Sequence, residues 1–225
     1  GQKNIFFTNN DTAYESAISL NNKGIKVEAI VDIRENPNSE FTKEAENLGI
    51  KIYKNHTIVD THGYKKLNKI SIMELSKDGQ SFANSNIIIL DCDCLGMAGG
   101  WTPAVHLFTQ SGGKLKFRDE DQVFIPNKYP SDQISIGSCN GDFELDEIIK
   151  NTSKSLKEFF SIDQTDFDNL DVQCPKDKEI RNIWLLPSNK VLGKTKPFVD
   201  YQNDATAKDI KLALKEGFKS IEHVK

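Results

Sequence analysis

Two rhythms of apolar and polar positions run through the first third of the chain. Ile5-Phe6-Phe7 is a short apolar run, followed by the polar turn Thr8-Asn9-Asn10-Asp11. Ala13, Ala17 and Leu20 then share one face at helical spacing, with Thr12 and Glu15 at capping-box spacing. Gly24 stops this helix, and residues 27–31 make a second apolar strand closing at Asp32. This succession predicts a parallel βαβ unit. Residues 39–48 read as a second helix, with Phe41, Ala45 and Leu48 on one face and Gly49 as its stop; residues 50–53 read as a third strand. Residues 57–60 and 68–75 alternate with period two on either side of Thr61-His62-Gly63-Tyr64, which predicts an antiparallel pair.

The middle of the chain changes character. An apolar strand at 86–90 leads on to Gly99-Gly100-Trp101-Thr102-Pro103. Adjacent glycines allow a close backbone approach, which suits a tight strand-to-helix corner as well as a nucleotide. A helical turn at 104–108 is broken by Ser111-Gly112-Gly113, and strands are expected at 123–126 and 134–136. The turn Gly137-Ser138-Cys139-Asn140-Gly141 precedes a helix carrying Phe143, Leu145, Ile148 and Ile149, an order that aims amide donors above a helix start. Residues 163–178 read as a solvated acidic linker; Asp166, Asp168 and Asp171 lack the glycine and terminal Glu of a calcium loop. A short strand is expected at 183–187. The last stretch has capping spacing at Thr206 and Asp209, a stripe of Ile210, Ala213 and Leu214, a stop at Gly217, and a further helix beginning with Phe218 and Ile221.

The expected fold class is α/β. A Rossmann-like βαβ nucleotide-binding domain spans 1–85 and part of a second nucleotide-binding domain spans 86–160. A linker with a short strand covers 161–197, and a small helical module covers 198–225. The net charge of −4 argues against a nucleic-acid partner. No apolar run reaches the length of a membrane span and no basic-then-apolar leader is present, so no membrane partner is expected; the sparse cysteines, read as thiols of a reducing compartment, make the expected location cytoplasmic. Four cysteines are too few for a disulfide framework; Cys92 and Cys94 fall on one face of a strand and read as buried thiols. His56, His62 and His106 read as packed or surface histidines. Both ends look cut, as in an internal fragment, and the uncovered half-domain predicts self-association.

The βα turn departs from the glycine fingerprint. Thr8, Asn10 and Ala13 stand where G-x-G-x-x-G/A places its small residues, and Asn10 tolerates the left-handed backbone. Asp32 ends the second strand about twenty residues beyond the turn, where an acidic group meets a ribose hydroxyl; Arg34 is the alternative, facing a 2′-phosphate. Candidate nucleotide contacts are therefore Thr8, Asn9, Asn10, Asp11, Asp32 and Arg34. A βαβ unit that has lost its ligand would look much the same, so a structural interaction module with no bound nucleotide is an alternative reading. No Tyr–Lys or His–Asp pair stands at catalytic spacing, so no catalytic residue and no metal site is assigned.

Four stretches carry a family resemblance: 90–113; Ser138-Cys139-Asn140-Gly141; Thr8 to Tyr14 with Val31-Asp32-Ile33-Arg34; and Phe198 to Asp204. Together they resemble the α-subunit of heterotetrameric sarcosine oxidase, between its N-terminal nucleotide-binding region and its folate-binding domain. The α-subunits of opine and proline dehydrogenases are the related alternatives. The resemblance implies a disulfide-reductase-like architecture in which a nicotinamide-type domain is inserted into an FAD-type domain. It implies NAD in this subunit, amine oxidation on the FAD of another subunit, electron transfer to FMN, and tetrahydrofolate in a C-terminal domain outside this chain. The other sarcosine oxidase subunits are the implied partners, and the isolated segment would be inactive. Gly99, Gly100, Trp101, Gly137, Ser138, Asn140 and Gly141 would line the outer nucleotide site. In relatives of the last module two cysteines hold an iron–sulfur cluster; residues 199–203 contain none, so Asp200, Gln202 and Asn203 are expected to cap backbone groups instead.

Overall fold

The computed structural model describes residues 3–130, 132–170, 172–174, 180–190 and 195–220. The chain divides into two compact units. The first comprises Gly1–Thr8, Ala13–Met97 and Ile183–Lys225; the second comprises Asn9–Thr12 and Ala98–Asn182.

In the first unit β1 (Asn4–Thr8), α1 (Thr12–Asn22), β2 (Val27–Asp32), α2 (Glu40–Asn47) and β3 (Lys51–Lys54) follow the expected order. The three strands are parallel, with Phe7 beside Val31 and Ala29 beside Lys51. Both faces of the sheet are buried, which explains the apolar run Ala29-Ile30-Val31 in β2. Ala29 and Val31 join Ile5, Tyr53, Ile70, Ile72 and Cys92 on one side. Ile30 turns the other way, to Tyr14, Ala17, Ile18 and Ala45 of the helices. Ser39 caps α2 through its side chain, which accepts from Thr42 N.

An antiparallel ribbon is built from β4 (His56–His62), β5 (Lys69–Glu74) and β6 (Ile88–Asp91), in that order. The apolar run at 86–90 thus belongs to the ribbon: Leu90 lies opposite the fully buried Ile70. β7 (Cys94–Ala98) then takes the free edge of β1, giving the order β3-β2-β1-β7. Where the sequence reading ends the first domain at residue 85, these two strands hold the chain in the first unit through Met97. Cys92 and Cys94 do not share a face either. Cys92 is buried in the core, which raises its thiol pKa, and Cys94 is exposed.

The second unit contains α3 (His106–Gln110), a hairpin of β8 (Lys114–Arg118) and β9 (Val123–Lys128), and α4 (Leu145–Phe160). Residues 134–136 are not a strand, so the expected strand–turn–helix order is absent there. β8 escapes a reading by apolar runs because cations alternate with Leu115 and Phe117. The acidic stretch is not wholly a solvated linker: Asp166–Asn169 is a 3₁₀ turn closed by a capping box on Thr165. Its Asp168 accepts from Ser153 Oγ and pairs with Lys157 Nζ at 2.8 Å, tying the turn to α4. Asp171 lies outside the described residues.

The last part of the chain returns to the first unit. Residues 183–187 form no strand. β10 (Phe198–Asp200) and β11 (Ala205–Thr206) pair antiparallel and lead into α5 (Ala207–Lys215). Asp209 accepts from Thr206 N at 2.9 Å and Thr206 Oγ1 at 2.6 Å, and Gly217 follows the helix with a φ of 93°. Asp200 Oδ1 accepts from Gln202 N at 2.9 Å, the backbone-capping role expected of it, whereas the Asn203 side chain donates to Asp200 Oδ2 at 2.6 Å and so bonds a side chain rather than the backbone. Ile221 lies outside the described residues.

Phe108 is wedged between Gly113, whose absent Cβ would overlap its ring, and Tyr129, at 5.0 Å between ring centroids. Gly113→Ala should therefore lower stability by about 1–3 kcal/mol through overpacking. Gly99→Ala, whose Cβ meets nothing within 4 Å, should cost far less. Urea unfolding of the two variants checks the difference.

Candidate functional site

The apolar run of β2 ends by delivering Asp32 to its C-terminal tip, fully buried, with Arg34 two residues on at 1% exposure. The two bind each other. Arg34 Nη2 donates to Asp32 Oδ2 at 2.8 Å, and Arg34 Nε lies 3.1 Å from both carboxylate oxygens. Arg34 N donates to Oδ1 at 2.8 Å, and the Tyr14 hydroxyl to Oδ2 at 2.8 Å. Removing two charges from water is costly, and it is tolerated here because these charge-assisted bonds fill the carboxylate. The guanidinium also lies 5.7 Å from the centre of the Tyr14 ring, and Arg34 O accepts from Asn55 N at 2.8 Å. Thr8 is buried at the end of β1, with its carbonyl accepting from Ile33 N.

In the second unit the turn is made by side chains. Asn10 Oδ1 accepts from Thr12 N at 2.9 Å and Thr12 Oγ1 at 2.6 Å, and Asn10 Nδ2 donates to Asn9 Oδ1 at 2.7 Å. Thr12 therefore lies inside the helix rather than capping it with Glu15. Asn10 is not left-handed; its amide, not its backbone, shapes the turn. Asn9 Nδ2 reaches Gly99 O at 3.4 Å and Asn182 Oδ1 at 3.3 Å, and Asn9 O accepts from Arg181 N at 3.3 Å. Gly100 is left-handed, and a Cβ there would lie 3.8 Å from Asn10 Nδ2. Asn9, Asn10, Gly99 and Gly100 are thus brought together. Asp11 is buried, and Trp101 is 65% exposed.

The Gly137–Asn140 turn is held separately. Arg118 Nη2 donates to Gly141 O at 2.7 Å, the Tyr129 hydroxyl to Asn140 Oδ1 at 3.0 Å, and Asn151 Nδ2 to Asp142 Oδ1 at 3.0 Å. Burial raises the pKa of the Tyr129 phenol. The turn is not the first turn of α4. Glu144 sits at the helix N-cap, and Asp146 and Glu147 bring their own negative charge to the first turn. Ser138 and Asn140 therefore do not stand beneath a helix start. Tyr14, Arg118 and Tyr129 were not foreseen as partners of the candidate residues. Tyr14 carried a signal, being a helical neighbour of the Ala17–Ile18 face. Among the described residues no cluster of His, Cys, Asp or Glu could hold a metal ion, and no helix is long and apolar enough to cross a membrane.

A ribose read by Asp32 does not fit the first unit as it stands, because both carboxylate oxygens are taken. At the Asn9–Asn10 and Gly99–Gly100 turn the side of Gly99 is open, since a Cβ there meets nothing within 4 Å.

The parallel sheet, its two helices and the ribbon define a Rossmann-like α/β fold. Along its whole length the chain is similar to sarcosine oxidase α-subunits. It is 27% identical to that of Corynebacterium sp. (strain P-1) over 239 residues, covering 100% of the chain and 24% of the relative. With the subunit of Rhizobium meliloti (strain 1021) the identity is 28% over 237 residues, covering 100% of the chain and 21% of the relative. The chain therefore spans about a quarter of the length of these relatives. Residues 194–225 match the model of the sarcosine oxidase A3 domain. The crystal structure of L-proline dehydrogenase from P. horikoshii superposes with a TM-score of 0.52 at 16% identity, covering 100% of this chain and 39% of that one, and so shares the fold.

Tyr14→Phe removes one charged hydrogen bond from Asp32 and should cost about 1.5–3 kcal/mol, read by chemical denaturation. Asp168 supplies a pH test. Lys157 first, then Ser153 and the Thr165 amide, hold its carboxyl well below the usual range. A depressed folded pKa gives stability that is present above the unfolded value, about pH 4, and is lost as pH falls through the folded one. Hydrogen exchange at residues 165–169 should accelerate as pH is lowered below about 4, after correction for intrinsic rates, and Asp168→Asn should flatten the dependence.

Proposed function

We propose that this chain is the nucleotide-binding scaffold of the α-subunit of a flavin-dependent oxidoreductase of the sarcosine oxidase type. In that complex sarcosine is oxidatively demethylated to glycine, with the one-carbon unit passed to tetrahydrofolate bound in a domain beyond this chain. The observation that carries the reading is similarity across all of the chain to sarcosine oxidase α-subunits from two organisms. Amine oxidation belongs to the FAD of a partner subunit, with FMN taking the electrons. The other subunits are the partners, and the complex is cytoplasmic.

The role of this chain's own residues is to bind and orient. NAD is assigned to the second unit, where Asn9, Asn10 and Asp11 make the turn and Gly99, Gly100 and Trp101 border it. Gly137, Ser138, Asn140 and Gly141 are assigned to the same nucleotide as a second contact region, kept in shape by Arg118 and Tyr129. Thr8, buried at the end of β1, is assigned a contact to nucleotide in the first unit only as the resemblance implies. NAD, when bound, is a pyridine nucleotide able to exchange hydride, and no proton-transferring side chain is assigned beside it.

A second reading, the α-subunit of a proline dehydrogenase, draws on the fold shared across the whole chain. Purification of the complete complex separates the two. Sarcosine-dependent peroxide formation, absent from the isolated chain, is the expected result. Proline-dependent dye reduction without sarcosine turnover would select the second reading. Light scattering of the isolated chain should show concentration-dependent self-association.

A further inference from the structure

A βαβ unit that reads an adenosine ribose keeps the carboxylate at the end of its second strand ready to accept from ribose hydroxyls. In the first unit that carboxylate already has an occupant from its own chain. An ionised carboxylate offers about four lone-pair sites. Here Arg34 N, Arg34 Nε, Arg34 Nη2 and the Tyr14 hydroxyl all donate to Asp32 within 3.1 Å. We infer that Arg34 is the specificity-determining residue that closes the first unit to NAD, its guanidinium taking the place of the ribose hydroxyls on Asp32. The inference rests on the reading of this unit as a nicotinamide-type domain.

Arg34 is also unsuited to the opposite task. Binding a 2′-phosphate needs a guanidinium facing outward, whereas this one is 1% exposed and commits Nε and Nη2 to Asp32. Its backbone is fixed on both sides, by its own amide on Asp32 Oδ1 and by Asn55 N on its carbonyl. Its guanidinium also lies against the Tyr14 ring, so movement would give up that contact together with the ion pair. The pair is self-neutralising and rejects the ribose of NAD and the 2′-phosphate of NADP alike. Arg34 acts through Asp32 and touches no reacting atom.

The test is an NAD titration of the complete complex by calorimetry. Asp32→Asn should leave NAD affinity within twofold of the parent. Arg34→Ser should add one equivalent of NAD per α-subunit, and the double variant Arg34→Ser/Asp32→Asn should lose that equivalent again. A tenfold or greater loss of NAD affinity in Asp32→Asn would overturn the inference, as would a natively folded Arg34→Ser complex with no added site. If Arg34→Ser does not fold, crystals of the parent complex soaked in NAD decide. An intact Asp32–Arg34 contact with no ribose on Asp32 supports the inference; ribose hydroxyls on Asp32 with Arg34 displaced refute it. Sarcosine turnover is measured separately, so its absence refutes the sarcosine assignment while the titration still decides the role of Arg34.

Discussion

Burial of the parallel sheet on both faces is the constraint from which the first unit follows. β2 is the middle of three parallel strands, so Ala29, Ile30 and Val31 must be apolar whichever way they point: Ala29 and Val31 toward the ribbon, Ile30 toward the helices. Near its start the strand still admits a charge, Glu28, which is half-buried and pairs with Lys26. At its far tip it carries Asp32, and a carboxylate arriving there enters a nearly dry environment. It must be paired or neutralised. The Asp32–Arg34–Tyr14 cluster is therefore as much a product of the sheet as of any ligand.

Period and punctuation made the first unit readable. Ile5-Phe6-Phe7, Gly24, the run to Asp32, Ser39 and Gly49 each placed an element end correctly, because a strand buried on both sides and a capped helix leave strong local marks. The ribbon was half legible. β4 and β5 alternate visibly, whereas β6 looks like the opening of another domain, since an apolar strand carries no sign of which neighbour it will join. The same limit hid β8, whose polar half is cationic, and produced expected strands at 134–136 and 183–187 that found no pairing partner.

The candidate site was legible as residue types but not as connections. Asp32 and Arg34 stood out as alternatives for one ligand, and sequence spacing cannot reveal that they answer each other. Asn10 was read for its backbone tolerance, yet it works through its amide. Asp200 was read correctly, because a carboxylate two residues before a free amide in a short turn has few other choices.

The Asn9 side chain meets Asn182, a separation of 173 residues, and the neighbouring Arg181 amide donates to Asn9 O. The turn that follows β1 is thus completed from a segment 173 residues downstream. Closing so large a loop carries an entropic cost that the Asn10–Thr12 bonds inside the turn do not, so the turn takes shape locally and gains its outer neighbours late in folding.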